Sequence, residues 1–156
     1  MPESRPQNAS GSIGKRLETL MFRTTNGAHV GLYQLSGGKL GGRMFGSPVL
    51  VLTTTGRKSG KQRKTPLIYF QDGPNFVIVA SKGGSPQDPV WWLNLKHTPE
   101  AEIQVGAKRM RVRAEQASPE ERQRLWPLVT AMYKGYAEYQ TKTTREIPVG
   151  ILRPLT

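Results

Sequence analysis

Three β-forming runs follow one another closely in this chain: PVLVLTTT at 48–55, TPLIYFQ at 65–71 and NFVIVAS at 75–81. Their β-branched and aromatic residues suit a pleated, half-buried surface, and Asp72 with Gly73 makes the second gap a good hairpin turn. Shorter runs recur at AEIQV and RMRVRAE with Gly106 between them, and Ile147 to Leu152 supplies a further edge or closing strand. Many short strands separated by turn residues favour a small barrel, so the chain reads as mainly β with α. The helices have the role of covers. DPVWWLNLKHT at 88–98 reads as one, with Pro89 in its first turn and Pro99 near its end. A second starts at Ser118, where SPEE supplies a cap, a first-turn proline and Glu121 three residues on. Leu125, Leu128, Val129 and Met132 continue its apolar face, and Pro127 predicts a kink or a restarted helix.

At 156 residues the chain has room for one such domain. Residues 1–28 form a separate segment: a polar, Pro-, Gly- and Ser-rich opening read as a mobile tail, then a short basic amphipathic helix over 15–22. That helix covers the core or touches a membrane surface peripherally. Residues 29–156 are the barrel domain, entered through a glycine-rich connector at 31–47. No apolar run approaches the roughly 18 residues of a spanning helix and the start lacks a secretory signal, so a cytoplasmic location is expected. The absence of cysteine excludes disulfides, thiolate catalysis and cysteine metal sites.

Lys plus Arg number 23 against 11 Asp plus Glu, and the excess is uneven. Residues 1–71 carry eleven cations against Glu3 and Glu18, so an anionic partner should meet the first half: a phosphorylated cofactor, nucleic acid or an acidic membrane. The densest stretch is TTTGRKSGKQRKT at 53–65. Its glycines permit a turn that exposes amides, Arg57 and Arg63 can grip phosphate or carboxylate in bidentate fashion, Lys58, Lys61 and Lys64 add charge, and Thr55 and Ser59 offer hydroxyls. An anion cradle and an ordinary solvated hairpin loop are both open readings. The spacing is not that of a P-loop.

Ser81, Lys82, Gly83 and Gly84 form a second donor-rich junction after a strand, a ligand contact or a plain turn. Of Trp91 and Trp92, one faces the core and one lines a ligand wall, and Asn94 is a candidate for fixing a polar group. Tyr133, Tyr136 and Tyr139 share a broad side of one helix if that helix persists. They bind a planar substrate, with Tyr136 the best catalytic candidate, or simply cover the barrel and present hydroxyls at its rim. His29 and His97 are read as structural or exposed, Glu120 and Glu121 as helix-start charges, and no metal site is expected.

Taken together, TTTGRKSGKQRKTPLIYF, VIVASKGGSPQDPVWWLNL and RLWPLVTAMYKGYAEYQTKTTREIPVGIL closely resemble the deazaflavin (F420)-dependent nitroreductase family, the type A flavin/deazaflavin oxidoreductases, over most of residues 30–153. The resemblance implies a split β-barrel of the FMN-binding, pyridoxamine-phosphate-oxidase-like kind, with reduced coenzyme F420 as hydride source and no metal. It assigns Arg57, Lys58, Ser59, Gly60 and Arg63, with Thr55 and Lys64, to the phosphate and oligoglutamyl side of the cofactor. Thr65, Pro66 and Leu67 would run beside the ring, and Ala80, Ser81, Lys82, Gly83, Trp92 and Asn94 would complete the environment. Tyr133, Tyr136 and Tyr139 would form the substrate wall, with Tyr136 or solvent as proton source.

The implied reaction is hydride transfer to a small, hydrophobic, electron-poor acceptor. Activated C=C bonds of enones or unsaturated esters come first, and membrane-associated quinone or nitroaromatic reduction is the alternative. A nucleic-acid-binding barrel, with 57–64 on the backbone and the tyrosines as stacking platforms, is less consistent with the combined segments, as is a non-catalytic F420 carrier. The protein is expected to act as a monomer or a homodimer without a nucleic-acid partner.

Overall fold

The structure, a computed structural model, describes residues 27–155. The expected tail and the basic helix over 15–22 lie outside the described residues. Residues 27–36 are helical (α1), and eight strands follow: β1 Arg43–Met44, β2 Ser47–Thr55, β3 Gln62–Ile68, β4 Phe70–Asp72, β5 Asn75–Val79, β6 Glu100–Val105, β7 Lys108–Gln116 and β8 Val149–Pro154. Three more helices are α2 Val90–His97, α3 Pro119–Met132 and α4 Gly135–Thr141, with a 3-10 turn at Lys82–Gly84.

All strand pairs are antiparallel, and the main path runs β1-β2-β6-β7-β8-β5-β4, with β3 on the other edge of β2. β3 and β4 therefore lie at opposite ends of the sheet, yet only Tyr69 separates them in sequence. One residue spans less than about 4 Å, so the sheet must curl until its ends meet. The run expected as one strand at 65–71 is split at this corner. There the Tyr69 amide carries the β2–β3 register one step further by donating to the Pro48 carbonyl (3.1 Å), and the chain then turns away into β4. The expected closing strand near the C-terminus is found as β8, shifted two residues, between β5 and β7.

Alternation along β2 divides the packing. Leu50 and Leu52 point into the barrel with Phe76, Ile78 and Ile103, and α2 plugs that interior with Trp92 and Leu95. Val49 and Val51 point the other way, toward Tyr33 of α1 and the half-buried Met132 and Tyr133. A third cluster sets Leu125 and Val129 of α3 and Tyr136 of α4 against Val77, Val79 and Ile151. Tyr133 packs against both outer clusters.

The capping box at Ser118 is complete: the Glu121 amide donates to Ser118 Oγ (3.1 Å) and the Ser118 amide to Glu121 Oε1 (3.1 Å). Of the kink or restart expected at Pro127, the restart does not occur: helix α3 runs through it to Met132. Pro127 and the residue four before it, Gln123, are exposed, so the carbonyl that loses its intrahelical donor faces water, while Leu125 and Val129 anchor the buried side. The break comes at Tyr133 and Lys134. Leu128, expected on the apolar face, is 41% exposed.

Candidate functional site

The β2–β3 hairpin tip, residues 56–61, is braced from inside. The Gly56 amide donates to the Lys61 carbonyl (2.7 Å), the Gly60 amide to the Gly56 carbonyl (2.8 Å), and the Lys61 amide to Ser59 Oγ (3.2 Å). Asn94 of α2 roots the loop: its Oδ1 accepts from the Arg57 amide (3.1 Å) and its Nδ2 donates to Thr54 Oγ1 (3.3 Å), with Asn94 and Thr54 both buried. Thr55 stands half-buried at the hairpin mouth, paired with Gln62. Arg57, Lys58, Ser59, Gly60, Lys61, Arg63 and Lys64 are exposed. Among the described residues none of these five cations joins an ion pair, whereas Arg111, Arg113, Arg122, Arg124, Arg145 and Arg153 all do. Lys64 differs from its neighbours because its ammonium donates to Gln34 Oε1 on α1 (3.2 Å).

The second junction is held by a residue the sequence did not mark. Arg145 donates to the carbonyls of Ala80 (3.3 Å), Ser81 (2.8 Å) and Ser85 (2.8 Å) and pairs with the Asp88 carboxylate (3.0 Å). This clamp fixes a left-handed run, Lys82 at φ 45°, Gly83 at 62° and Gly84 at 81°. Gly84 is required by space as well as by φ: a Cβ there would lie 2.6 Å from the Tyr139 carbonyl oxygen, so the loop rests directly on α4. Ala80 is fully buried and can offer only its backbone, Ser81 is nearly buried, and Lys82 and Gly83 are exposed.

On β3 the register pairs Thr65 with Leu52 and Leu67 with Leu50, which sets both toward the barrel interior, while Pro66 pairs with Val51 on the Tyr133 side. Trp92 is on the interior side, 2% exposed, and its Nε1 lacks a hydrogen-bond partner among the described residues. Trp91 is the half-buried member of the pair. The interior and the tyrosines thus occupy opposite faces of β2–β3.

The three tyrosines come together across a bend, not along one helix. Tyr133 ends α3, while Tyr136 and Tyr139 lie on α4. The Tyr133 ring meets Tyr136 edge-on (4.8 Å between centroids, 89°), and the Tyr133 and Tyr139 hydroxyls lie 2.8 Å apart. That hydrogen bond, then burial, pushes the Tyr133 hydroxyl up to about 12. Tyr136 is 6% exposed, and burial, reinforced by the phenols of Tyr133 and Tyr139, raises its hydroxyl far above the ordinary tyrosine range. It stays protonated, which makes it a hydrogen-bond donor and a poor proton donor.

The sequence model of the F420H(2)-dependent quinone reductases matches residues 26–154, the whole of this barrel and its loops. The chain belongs to the F420H(2)-dependent quinone reductase family. An F420H(2)-dependent quinone reductase of Mycobacterium tuberculosis is 43% identical over 128 residues, covering 80% of this chain and 86% of the relative. A solved structure described as an F420-H2 dependent reductase (FDR-A) is 44% identical, with a TM-score of 0.63 over 68% of this chain and 94% of its own. A second, described as a domain-swapped dimer, is 36% identical with a TM-score of 0.66, covering 92% and 100%. At 13% identity and a TM-score of 0.51, over 69% and 84%, a Listeria innocua structure named for pyridoxamine 5'-phosphate oxidase shares the fold. The curled antiparallel sheet with covering helices is thus the split barrel of the FMN-binding, pyridoxamine-phosphate-oxidase-like class.

As a member of the F420H(2)-dependent quinone reductase family the chain is an oxidoreductase, and its donor set suits an anionic deazaflavin. The hairpin offers guanidinium, ammonium and hydroxyl donors, and no acidic residue occurs between Thr53 and Gln71 to compete for them. At Gly60 and Gly83 the space a Cβ would occupy is empty to 4 Å, which leaves backbone edges open on both loops. Asn94, expected to touch the cofactor, is tied to the hairpin by accepting from the Arg57 amide and donating to Thr54 Oγ1. Among the described residues no cluster of His, Asp and Glu has metal-site geometry, and His29 Nε2 lies 2.7 Å from the Gly41 carbonyl, a structural contact.

Proposed function

We propose that the protein binds reduced F420 between the hairpin at Arg57–Gly60 and the junction at Ala80–Gly83, with the ring along the backbone of Thr65, Pro66 and Leu67 on the Pro66 side of β3, and reduces a quinone-type acceptor against the tyrosine cluster. The observation that carries this reading is the hairpin: five cations without an ion pair among the described residues, on a loop rooted to α2 by Asn94. When bound, the reduced deazaflavin supplies a hydride, and a proton from solvent completes the two-electron reduction to a hydroquinone. Arg57, Lys58, Ser59 and Arg63 hold the phosphate and carboxylates and so fix the ring in register. Tyr133 and Tyr136 face the acceptor, and a neutral phenol donates to the oxygen on which negative charge develops. Quinones take precedence over enones because relatives at 43% identity are named for them. Enones and unsaturated esters remain a second acceptor class for the same donor geometry.

Purified protein should bind F420 in preference to FMN and FAD and oxidise its reduced form with quinones faster than with enones or nitroaromatics. No F420 binding sinks the reading; binding without turnover of any acceptor converts it to a carrier. The relative described as a domain-swapped dimer supports a homodimer beside the monomer, which sedimentation distinguishes. No described helix is long and apolar enough to cross a membrane, and peripheral contact is tested by vesicle partitioning with and without residues 1–28.

A further inference from the structure

The aromatic cluster has a fourth member that the tyrosine spacing does not announce. The Phe45 ring stacks on Tyr133 with centroids 5.4 Å apart and planes 19° apart, yet Phe45 is 74% exposed. It is the first of the two residues joining β1 to β2, at φ 51°, followed by Gly46 at φ 76°, and Arg43 Nη1 donates to the Gly46 carbonyl (3.0 Å). A two-residue turn with both φ positive suits Asn-Gly or Gly-Gly. Phenylalanine there is doubly costly, since an L side chain is strained in the left-handed region and most of a large apolar ring stays in water. Core packing does not compensate, because the ring touches a residue that is itself half-buried at the rim. Through Tyr133 the ring is continuous with Tyr136 (4.8 Å) and Tyr139 (6.1 Å), and its solvent face is the outer end of that run.

We infer that Phe45 is a specificity-determining residue that lengthens the tyrosine wall by one ring and holds planar, fused-ring acceptors by stacking. The inference rests on the quinone-type reduction proposed at Tyr133, Tyr136 and Tyr139. A one-ring acceptor is covered by the tyrosines alone, whereas the second ring of a naphthoquinone reaches the aromatic face that Phe45 provides. The strained turn is then the means of presenting that face, with the hairpin fixing its direction.

The test compares naphthoquinone with benzoquinone as acceptors for reduced F420 in the wild type, Phe45→Tyr and Phe45→Asn. Asparagine suits the turn and keeps the hairpin, so it removes the ring without removing its support. The expected result for Phe45→Asn is a KM ratio, naphthoquinone over benzoquinone, raised about 3- to 10-fold, the range offset stacking supplies, with kcat moving less than KM. Phe45→Tyr should keep the wild-type ratio. A ratio unchanged in Phe45→Asn, with its melting temperature at or above wild type, overturns the inference. Quenching of tryptophan fluorescence by naphthoquinone, read without F420, separates this failure from that of the proposed reaction. A wild type that turns over no quinone, yet binds naphthoquinone more tightly than Phe45→Asn does, would fault the reaction and leave Phe45's role standing. Equal affinities overturn the role.

Discussion

The hydroxyl oxygens of Tyr133 and Tyr139 lie 2.8 Å apart, closing a link between the end of α3 and the middle of α4. One hydrogen serves that bond, which leaves the other free to donate outward from the pair. This bond is also the first cause of the raised Tyr133 hydroxyl. Tyr139→Phe should therefore bring Tyr133 down from about 12 toward the ordinary tyrosine value, read as phenolate absorbance against pH. Activity should fall by less than for Tyr136→Phe where the Tyr136 hydroxyl, and not the pair, donates to the acceptor. A larger loss in Tyr139→Phe would transfer the donor role to the Tyr133–Tyr139 pair.

Alkaline stability follows from the same phenols. Burial raises the hydroxyls of Tyr33, Tyr69 and Tyr136, so the folded protein holds protons that the unfolded chain releases near pH 10. Their contribution is constant below pH 10 and declines above it, because the unfolded state then binds fewer protons than the native one. Tyr136, whose hydroxyl is raised furthest of the three, should contribute a slope of about −1.4 kcal/mol per pH unit. Urea midpoints from pH 8 to 11 for wild type and Tyr136→Phe measure it. Parallel curves would show that Tyr136 ionises freely in the folded state.

Arg145 sits 17% exposed with its guanidinium spread over three carbonyls and the Asp88 carboxylate. Removing it leaves those acceptors unpaired in a partly buried position, so Arg145→Ala should cost about 2–4 kcal/mol of stability. Lysine restores charge without the planar fork, and Arg145→Lys should recover less than half of that loss. Since the clamp shapes Ala80–Ser85, F420 affinity should fall in both variants, read by fluorescence titration at a temperature where each is folded. Unchanged affinity would detach this junction from the cofactor.

The contrast between Arg145 and Ser118 explains what the sequence could reveal. A capping box is complete within four residues, and strand alternation within six or seven, so both were legible locally. Arg145 acts on residues some sixty positions away and has no local pattern. The tyrosine spacing correctly signalled a cluster, but its geometry depends on a bend at Tyr133 and Lys134, while the proline that drew attention was accommodated on a solvated helix face. Asn94 was singled out as a polar anchor, yet its partners, Thr54 and the Arg57 amide, are set by how α2 lies against β2. Phe45 was missed because its meaning lies in a backbone conformation that its residue type argues against.

The hairpin cations are not equivalent, although composition counts them alike. Lys64 donates to Gln34 across to α1, whereas Arg63, one residue earlier on β3, has no such partner among the described hydrogen bonds and ion pairs. Alternation turns their side chains to opposite faces of β3, Lys64 to the α1 side where Gln34 engages it and Arg63 to the side without such a partner, which leaves the guanidinium available to a ligand at the hairpin. A guanidinium also grips phosphate in bidentate fashion where an ammonium makes point contacts. Arg63→Ala should therefore weaken F420 binding by about ten- to a hundredfold, about 1.5–3 kcal/mol for a charged hydrogen-bonded contact. Lys64→Ala should change it less than about threefold and instead lower the melting temperature slightly through α1. The Arg63 loss should shrink as salt rises from 50 to 500 mM, roughly, because part of it is screened attraction. Equal losses in the two variants at every salt concentration would show that the hairpin acts as a diffuse positive field without a defined grip.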